Sequence, residues 1–223
     1  AYYRLDDFDK AQKSFKFQRE HYAEGPLAAD ARFMEAEVLF KQEKYPEARE
    51  SYRALGQLSN PEFAALAALH GAQCAAQAQQ WQEALQMASE VLASQPDNAY
   101  AAELLYEQGW AKQNLGELDE AVKLYEQATE KSGNEVAARA RFMIGEICFE
   151  RQAHGDAIKH FFKVAYGYAY PQWQANALYE AGRCFEVRKQ KQQALESYQE
   201  IVQKYPDSDK VTQAKKKIAE LGG

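Results

Sequence analysis

The chain is poor in the features that mark several large protein classes. Its 223 residues include only three cysteines, six prolines and four histidines. No apolar run approaches the roughly 18 residues that a membrane-spanning helix needs. A net charge of −6 and a pI of about 5.4 disfavour nonspecific nucleic-acid binding, which needs a basic surface. The sequence therefore predicts neither a membrane span nor a nucleic-acid partner.

The few cysteines and histidines form no pattern of a metal or catalytic site. Cys74, Cys148 and Cys184 are odd in number and far apart, which favours buried structural thiols. His154 and His160 lie six residues apart, a spacing that does not place two side chains on one helical face. The sequence also has no nucleophile-elbow, Walker or dinucleotide-binding glycine pattern. We therefore expect no enzymatic activity, no cofactor and no metal site.

An alanine recurs at a nearly constant interval and organises the whole chain. Successive copies are 36 or 37 residues apart, a period typical of solenoids, in which each unit buries its apolar face by stacking on the next. In five of the six copies an aromatic residue follows four positions later, which places both on one face of a helix. The six anchor alanines are Ala11, Ala48, Ala84, Ala121, Ala157 and Ala194.

A second small residue precedes each of the last five anchors by twelve positions, inside another helical pattern. The residues are Ala36, Ala72, Gly109, Gly145 and Gly182. A glycine inside a helix costs roughly 1 kcal/mol relative to alanine, so three at one repeat position indicate a close helix-helix approach. The pattern predicts two helices per repeat, which we call the first and the second helix.

These positions together resemble the tetratricopeptide repeat: a small residue in the first helix, an aromatic near the turn, then Ala and an aromatic in the second helix. The resemblance covers essentially the whole chain, although the common period is 34 residues. It implies an all-α solenoid of antiparallel helix pairs forming a right-handed superhelix, with first helices lining a concave groove. The last repeat and its tail, Ala194–Ser208, are similar to bacterial cell-envelope members, the periplasmic partner of the Tol–Pal system and the barrel-assembly lipoprotein.

We expect one domain over 1–223, divided at the loops between repeats. It comprises a partial repeat over 1–25, repeats over 26–60, 61–96, 97–133, 134–170 and 171–205, and a capping helix over 206–223. The partial repeat lacks most of its first helix, which would leave an apolar edge exposed. Either the parent chain continues upstream or a partner covers this edge, so self-association through the N-terminal edge is possible.

The resemblance also implies which side chains face the groove. They are Phe33, Met34, Glu37, Phe40, Tyr106, Trp110, Phe142, Met143, Glu146, Phe149, Tyr179 and Arg183. The segment ARFMEAEVLF (31–40) recurs 109 residues later as ARFMIGEICF (140–149), which indicates duplication of a three-repeat block. Each copy offers aromatic and methionine contact area around a carboxylate. Aromatic and methionine side chains are residue types that suit interface cores.

For each of these residues, a structural role is the alternative to partner binding. The aromatic side chains could fill gaps between adjacent repeats, and this reading stays open for Phe33 and Phe142. Glu37 and Glu146 would suit a basic or amino-bearing ligand, or could be solvated charge. The Asn- and Lys-rich clamp with which chaperone-binding relatives grip a C-terminal carboxylate is absent.

The sequence thus predicts a noncatalytic scaffold that binds a peptide or a partner helix in its groove. The alternatives are a structural assembly module acting through the open N-terminal repeat, or an accessory domain of a larger protein. The partner and the compartment stay undetermined. The envelope resemblance favours the bacterial periplasm or cell envelope, whereas the free cysteines favour a reducing compartment such as the cytoplasm.

Overall fold

The computed structural model describes residues 1–56 and 61–222, and every regular element in these ranges is helical. A short 3-10 helix, Tyr2–Leu5, precedes twelve α-helices. They are α1 Phe8–His21, α2 Ala28–Lys41, α3 Tyr45–Gly56, α4 Pro61–Gln77, α5 Trp81–Ser94, α6 Ala101–Asn114, α7 Leu118–Lys131, α8 Glu135–Glu150, α9 His154–Gly167, α10 Pro171–Val187, α11 Lys191–Lys204 and α12 Val211–Gly222. The all-α class predicted from the sequence is confirmed.

The chain divides into two compact units, Ala1–Ala121 and Val122–Gly223, and the division falls within α7. In the first unit each helix from α1 to α6 packs on the next, and α4 also contacts α2 and α6. In the second unit each helix from α8 to α12 packs on the next, and α8 also contacts α10. First helices of successive repeats are therefore neighbours within each unit, as a stacked helix-pair architecture requires.

The N-terminal segment consists of a short 3-10 helix, a turn and α1. Tyr2–Leu5, within the expected remnant of a first helix, forms a 3-10 helix that Asp6 closes in the left-handed conformation, with φ of 54°. Asp7 then caps α1 by accepting a hydrogen bond from the backbone N–H of Lys10 at 3.2 Å. The α-helix expected from Phe8 to about His21 is present with those bounds.

The turn inside every helix pair uses the same backbone conformation. A residue with positive φ stands five positions before each anchor alanine. These residues are Asp6, Glu43, Gln79, Gly116, Gln152 and Lys189. Gly116, with φ of 80°, is the only glycine among them, and it adopts the left-handed region without the steric cost that a Cβ imposes. The repeat is thus a repeat of backbone conformation as well as of side chains.

The predicted small residues allow second-helix aromatics to enter the helix interface. Tyr52, Tyr125, Phe161 and Tyr198 are all fully buried four positions after their anchors. A Cβ on Gly145 would lie 2.6 Å from the Phe161 ring, and one on Gly182 would lie 2.5 Å from the Tyr198 ring. Both contacts are shorter than van der Waals distance, so these glycines are required by close packing.

Each unit has its own apolar core. In the second unit a cluster built on Phe161, Leu178, Tyr198 and Ile201 runs from α8 to α12. In the first unit buried clusters lie around Tyr52 and further along α4–α6. The helices of the described residues include none that is both long enough and apolar enough to cross a membrane.

The cysteines behave as structural thiols. Cys74 and Cys184 are fully buried members of these cores, and Cys148 is half-buried against the second. Burial raises the pKa of the Cys74 and Cys184 thiols to about 12. Because the thiolate is the reactive form, both thiols are unreactive at neutral pH.

Candidate functional site

On α2, the predicted residue Glu37 is the centre of a hydrogen-bonded cluster. Glu37 accepts hydrogen bonds on Oε1 from the Tyr52 hydroxyl at 2.5 Å and from His70 Nδ1 at 2.6 Å. Its Oε2 accepts a longer one, 3.4 Å, from the Tyr3 hydroxyl. A carboxylate oxygen only accepts hydrogen bonds, so His70 carries a proton on Nδ1 in this arrangement. Glu37 therefore has its donors supplied by three different elements of its own unit.

These hydrogen bonds control the ionisation of Glu37. Burial acts to raise the pKa of its carboxyl, but the hydrogen bonds from His70 and Tyr52 outweigh burial, and the pKa lies below its usual value. Conversely, burial and the Glu37 charge raise the pKa of Tyr52, which stays protonated as a donor. Glu37 is thus an ionised carboxylate that accepts hydrogen bonds from Tyr52, His70 and Tyr3.

Aromatic rings complete the surroundings of this carboxylate. The His70 ring lies 6.0 Å from the rings of Phe33 and Phe40 and 5.5 Å from Tyr52, measured between centroids. An α4 side chain, His70, therefore lies close to both Phe33 and Phe40. Met34, which lies on α2 with Glu37, is half-buried. Sequence reasoning missed His70 and Tyr3, which lie far from Glu37 in the chain and outside the matching segment.

The predicted residues on α6 lie deeper than expected of a binding face. Tyr106 is only 6% exposed. Trp110 is half-buried, and its ring makes an edge-to-face contact with Trp81 of α5 at 5.5 Å. Next to Tyr106, the buried Glu107 accepts a hydrogen bond from Gln73 Nε2 at 3.2 Å. Both aromatic residues therefore contribute to packing within the first unit.

In the second unit the predicted residues lie on two neighbouring first helices, α8 and α10. Phe142 packs between Phe161 and Trp173, with centroid distances of 5.3 and 5.4 Å. The Arg183 guanidinium lies 4.9 Å from the centre of the Phe149 ring. Phe142 and Phe149 thus border the core while remaining half-buried.

Opposite charges line α10 beside these rings. Arg183 Nη1 lies 2.6 Å from Glu180 Oε2. The ammonium group of Lys210, which precedes α12, lies 5.2 Å from the centre of the Tyr179 ring. Glu180 is 8% exposed, and burial raises the pKa of its carboxyl even though Arg183 and Lys210 act in the opposite direction. Arg183 thus forms an ion pair with the Glu180 carboxylate.

Glu146 on α8 is the exceptional member of this set. Its Oε1 is buried and has no hydrogen-bond donor among the described residues. Burial and the nearby charge of Glu180 raise the pKa of the Glu146 carboxyl to about 7, against the opposing effect of Arg183 and Lys210. A buried polar atom without a partner is rare in folded proteins and needs an explanation.

A cleft of about 450 Å³ lies elsewhere, between α1, α2 and α3. It is lined in part by Arg19, Arg32 and Glu35, and Arg19 Nε lies 3.0 Å from Glu35 Oε2. None of the predicted site residues borders it. Within the described ranges, no group of three or more His, Cys, Asp or Glu side chains is placed to hold a metal ion.

Comparisons with known proteins agree with this architecture. Residues 1–60 and 106–172 match a family model described as tetratricopeptide repeat, and residues 176–208 match a second model with the same description. The chain belongs to the tetratricopeptide repeat family. A search of curated protein sequences finds no match.

Several solved structures share the tetratricopeptide fold at low sequence identity. PilF of Pseudomonas aeruginosa is 16% identical with a TM-score of 0.70, over 99% of this chain and 91% of its own. BtubC of P. vanneervenii is 14% identical with a TM-score of 0.71, over 97% and 91% of the two chains. YrrB, described as a TPR protein with an unusual peptide-binding site, is 22% identical with a TM-score of 0.61, over 92% and 99%. These similarities establish the fold.

Aligning the tetratricopeptide repeats by their anchor alanines shows how the two duplicated blocks differ. Glu37 corresponds to Glu146, since both lie eleven positions before an anchor. Tyr52 corresponds to Phe161, and His70 corresponds to Glu180. Both short hydrogen bonds to Glu37 therefore lack a counterpart at Glu146. The segments 31–40 and 140–149 look alike, but the donors come from other helices.

Proposed function

We propose that this protein is a noncatalytic interaction scaffold that binds a peptide or a partner helix on the first-helix face of its second unit. We define that face by Met143, Glu146 and Phe149 of α8 with Tyr179 and Arg183 of α10. Membership of the tetratricopeptide repeat family supports the class of function, because such repeats typically mediate protein-protein interaction. The alanine period and the buried anchors serve folding, so recognition has to use the positions between them.

The single observation that carries the proposal is a buried carboxylate oxygen on this face that receives no hydrogen bond from the described residues. Glu146 Oε1 has no donor among the described residues, whereas Glu37, its counterpart, has donors on both oxygens. Met143 is half-buried and is not a member of the second unit's core cluster, although Phe142 and Phe149 border that cluster. Methionine is flexible and polarizable, and suits a surface that adapts to a partner.

The test is selection from a displayed library of random 20-residue peptides on the immobilised protein. Twenty residues span about 30 Å as a helix, so both extended and helical ligands are represented. We expect wild type to enrich a family of peptides and Met143→Glu to lose them. Gln199→Glu is the matched control, because it adds the same charge at an exposed position of the second helix α11. Equal enrichment by Met143→Glu, or no enrichment by wild type, would refute the proposal.

A second candidate function is self-association through the N-terminal segment, favoured by its exposed apolar side chains. Leu5 is 75% exposed, Phe17 54% and Tyr22 56%. Phe17 and Tyr22 adjoin each other at the end of α1, with ring centroids 6.5 Å apart. If this patch joins two copies, light scattering will show a concentration-dependent mass that Phe17→Lys abolishes. A constant monomer mass up to high protein concentration excludes this candidate.

A further inference from the structure

The second unit has a cleft between the N-terminal half of α9 and the C-terminal end of α10. Its volume is about 660 Å³, which lies within the range of ligand-binding clefts. It is lined in part by His154, Gly155, Asp156, Lys159 and Arg188. None of the residues assigned above to partner binding borders it, so the cleft is a separate surface of the second unit.

The edge that contains this cleft is basic, although the chain as a whole has a net charge of −6. Segments 150–159 and 186–191 together carry five arginine or lysine residues and three acidic residues. One of these acids, Glu186, pairs with Lys217 of α12 at 3.1 Å, so a further cation from outside the segments neutralises it. The edge therefore has an excess of positive charge, which attracts anions.

Arg188 lines the cleft without a carboxylate partner among the described residues. Its Nε donates a hydrogen bond to Gln190 Oε1 at 2.8 Å. Asp156, the acidic residue that lines the cleft, pairs with Lys159 instead, also at 2.8 Å. The remaining donors of the guanidinium are therefore available, and their planar fork matches the two oxygens of a carboxylate or a phosphate group.

Gly155 allows this guanidinium to approach the first turn of α9. A Cβ at residue 155 would lie 2.7 Å from Arg188 Nη1, which is closer than van der Waals contact. When the repeats are aligned by their anchor alanines, the corresponding pair in the first unit is Pro46 and Ala78, which has no cation. The arrangement therefore belongs to the second unit. The guanidinium adds to the positive field at the start of α9, and an anion relieves that field.

We propose that this cleft binds an oxyanion, the carboxylate or phosphate group of an acidic peptide segment, with Arg188 as its main contact. Lys189 and Lys191 adjoin the lining residues in the chain and are exposed, so they extend the positive surface toward further acidic groups of the same segment. This inference goes beyond the scaffold function, because it assigns a second surface with a ligand chemistry of its own.

The test compares three peptides that carry the same dye and differ only in a central run of glutamate, phosphoserine or glutamine. Fluorescence anisotropy at about 0.15 M salt measures their affinities where long-range attraction between exposed charges is screened. We expect wild type to bind at least one acidic peptide about tenfold more tightly than the glutamine peptide, as charge-assisted hydrogen bonds predict. The tighter of the two acidic peptides shows whether the preferred oxyanion is a carboxylate or a phosphate.

Two variants at one position separate a guanidinium site from general charge attraction. Arg188→Gln should lose about tenfold in affinity for the acidic peptide. Arg188→Lys keeps the charge but lacks the planar fork, so it should lose nearly as much. Lys215→Gln is the matched control, because it removes one positive charge at an exposed position of α12 outside the cleft. It should bind the peptide as wild type does.

Equal affinity of wild type for the three peptides would overturn the inference, as would equal losses in Arg188→Gln and Lys215→Gln, or wild-type affinity in Arg188→Lys. Tighter binding of a labelled oligothymidylate than of both acidic peptides would also overturn it, because nucleic acid would then be the preferred partner. Arg188 is exposed, so its variants should fold, and circular dichroism verifies this. These results leave the first-helix face untouched, since its library selection is scored with a different variant.

Discussion

The partly buried carboxyl of Glu146, whose Oε1 has no donor among the described residues, should make the protein less stable as the pH rises. In an unfolded chain this carboxyl ionises near its ordinary pKa of 4.5, whereas in the folded protein the pKa is about 7. Between these values the folded state binds more protons than the unfolded state, so the free energy of unfolding falls with increasing pH. The loss begins near the unfolded pKa and is complete above the folded one.

The magnitude follows from this difference. An increase from 4.5 to about 7 corresponds to about 3 kcal/mol at full strength. Because the side chain is only partly buried, solvent screening reduces the expected effect to about 1 to 2 kcal/mol. Glu146→Gln removes the titrating group and keeps a similar shape. The variant should therefore be more stable than wild type by about that amount at pH 8 and nearly equal to it at pH 4.

Urea unfolding followed by circular dichroism at both pH values measures the effect. Glu37→Gln is the matched comparison, because the pKa of Glu37 is lowered in the folded protein. Its ionised form contributes stability above the unfolded pKa and loses it as the pH falls through the folded value. Glu37→Gln should therefore destabilise by about 1 to 3 kcal/mol at pH 8. Opposite signs for the two variants at pH 8 are the expected result. Destabilisation by Glu146→Gln at pH 8, or equal stabilisation at both pH values, would refute the reasoning.

Three further predictions concern packing and backbone conformation. Gly145→Ala places a methyl group against the buried Phe161 ring and should cost about 1 to 3 kcal/mol of unfolding free energy in urea titration. The methyl group of Gly116→Ala meets no neighbour, but residue 116 has positive φ, so the variant should lose about 1 kcal/mol of unfolding free energy. Gly133→Ala is equally open and lacks positive φ, so its unfolding free energy should change by less than about 0.5 kcal/mol. Equal effects of the two variants would contradict the backbone argument. Cys184 should resist a thiol reagent in the native protein and react fully in urea, and rapid native labelling would show that α10 opens.

Much of the fold could be read from the sequence because it follows from local repetition. A small residue twelve positions before each of the last five anchors, and an aromatic four positions after five of the six, define two helices and their contact. Gly145 and Phe161 meet in the structure for the reason that their repeat positions indicate. At the N-terminus, Tyr2–Leu5 forms a 3-10 helix that ends at Asp6 in the same left-handed conformation that recurs before the other second helices.

Only part of the candidate site could be predicted from the sequence. Tyr106 satisfies the same helical pattern as a groove residue and yet is 6% exposed, because burial depends on how neighbouring helices pack on α6. Glu37 and Glu146 look equivalent along 31–40 and 140–149. Their difference depends on positions 52 and 70 in one block and 161 and 180 in the other, which become neighbours of the carboxylate only after the helices stack.

The sequence by itself thus determined the helix pairs, their period and the positions buried between them, since these depend on side-chain size and spacing along the chain. The tertiary structure decided that Glu37 receives donors on both oxygens, whereas Glu146 Oε1 receives none from the residues that the structure describes. Hydrogen bonds act over about 3 Å, and the donors that reach Glu37 come from residues up to 34 positions away. Contacts of that kind are set by packing between repeats, and similar local segments can acquire different chemistry from it.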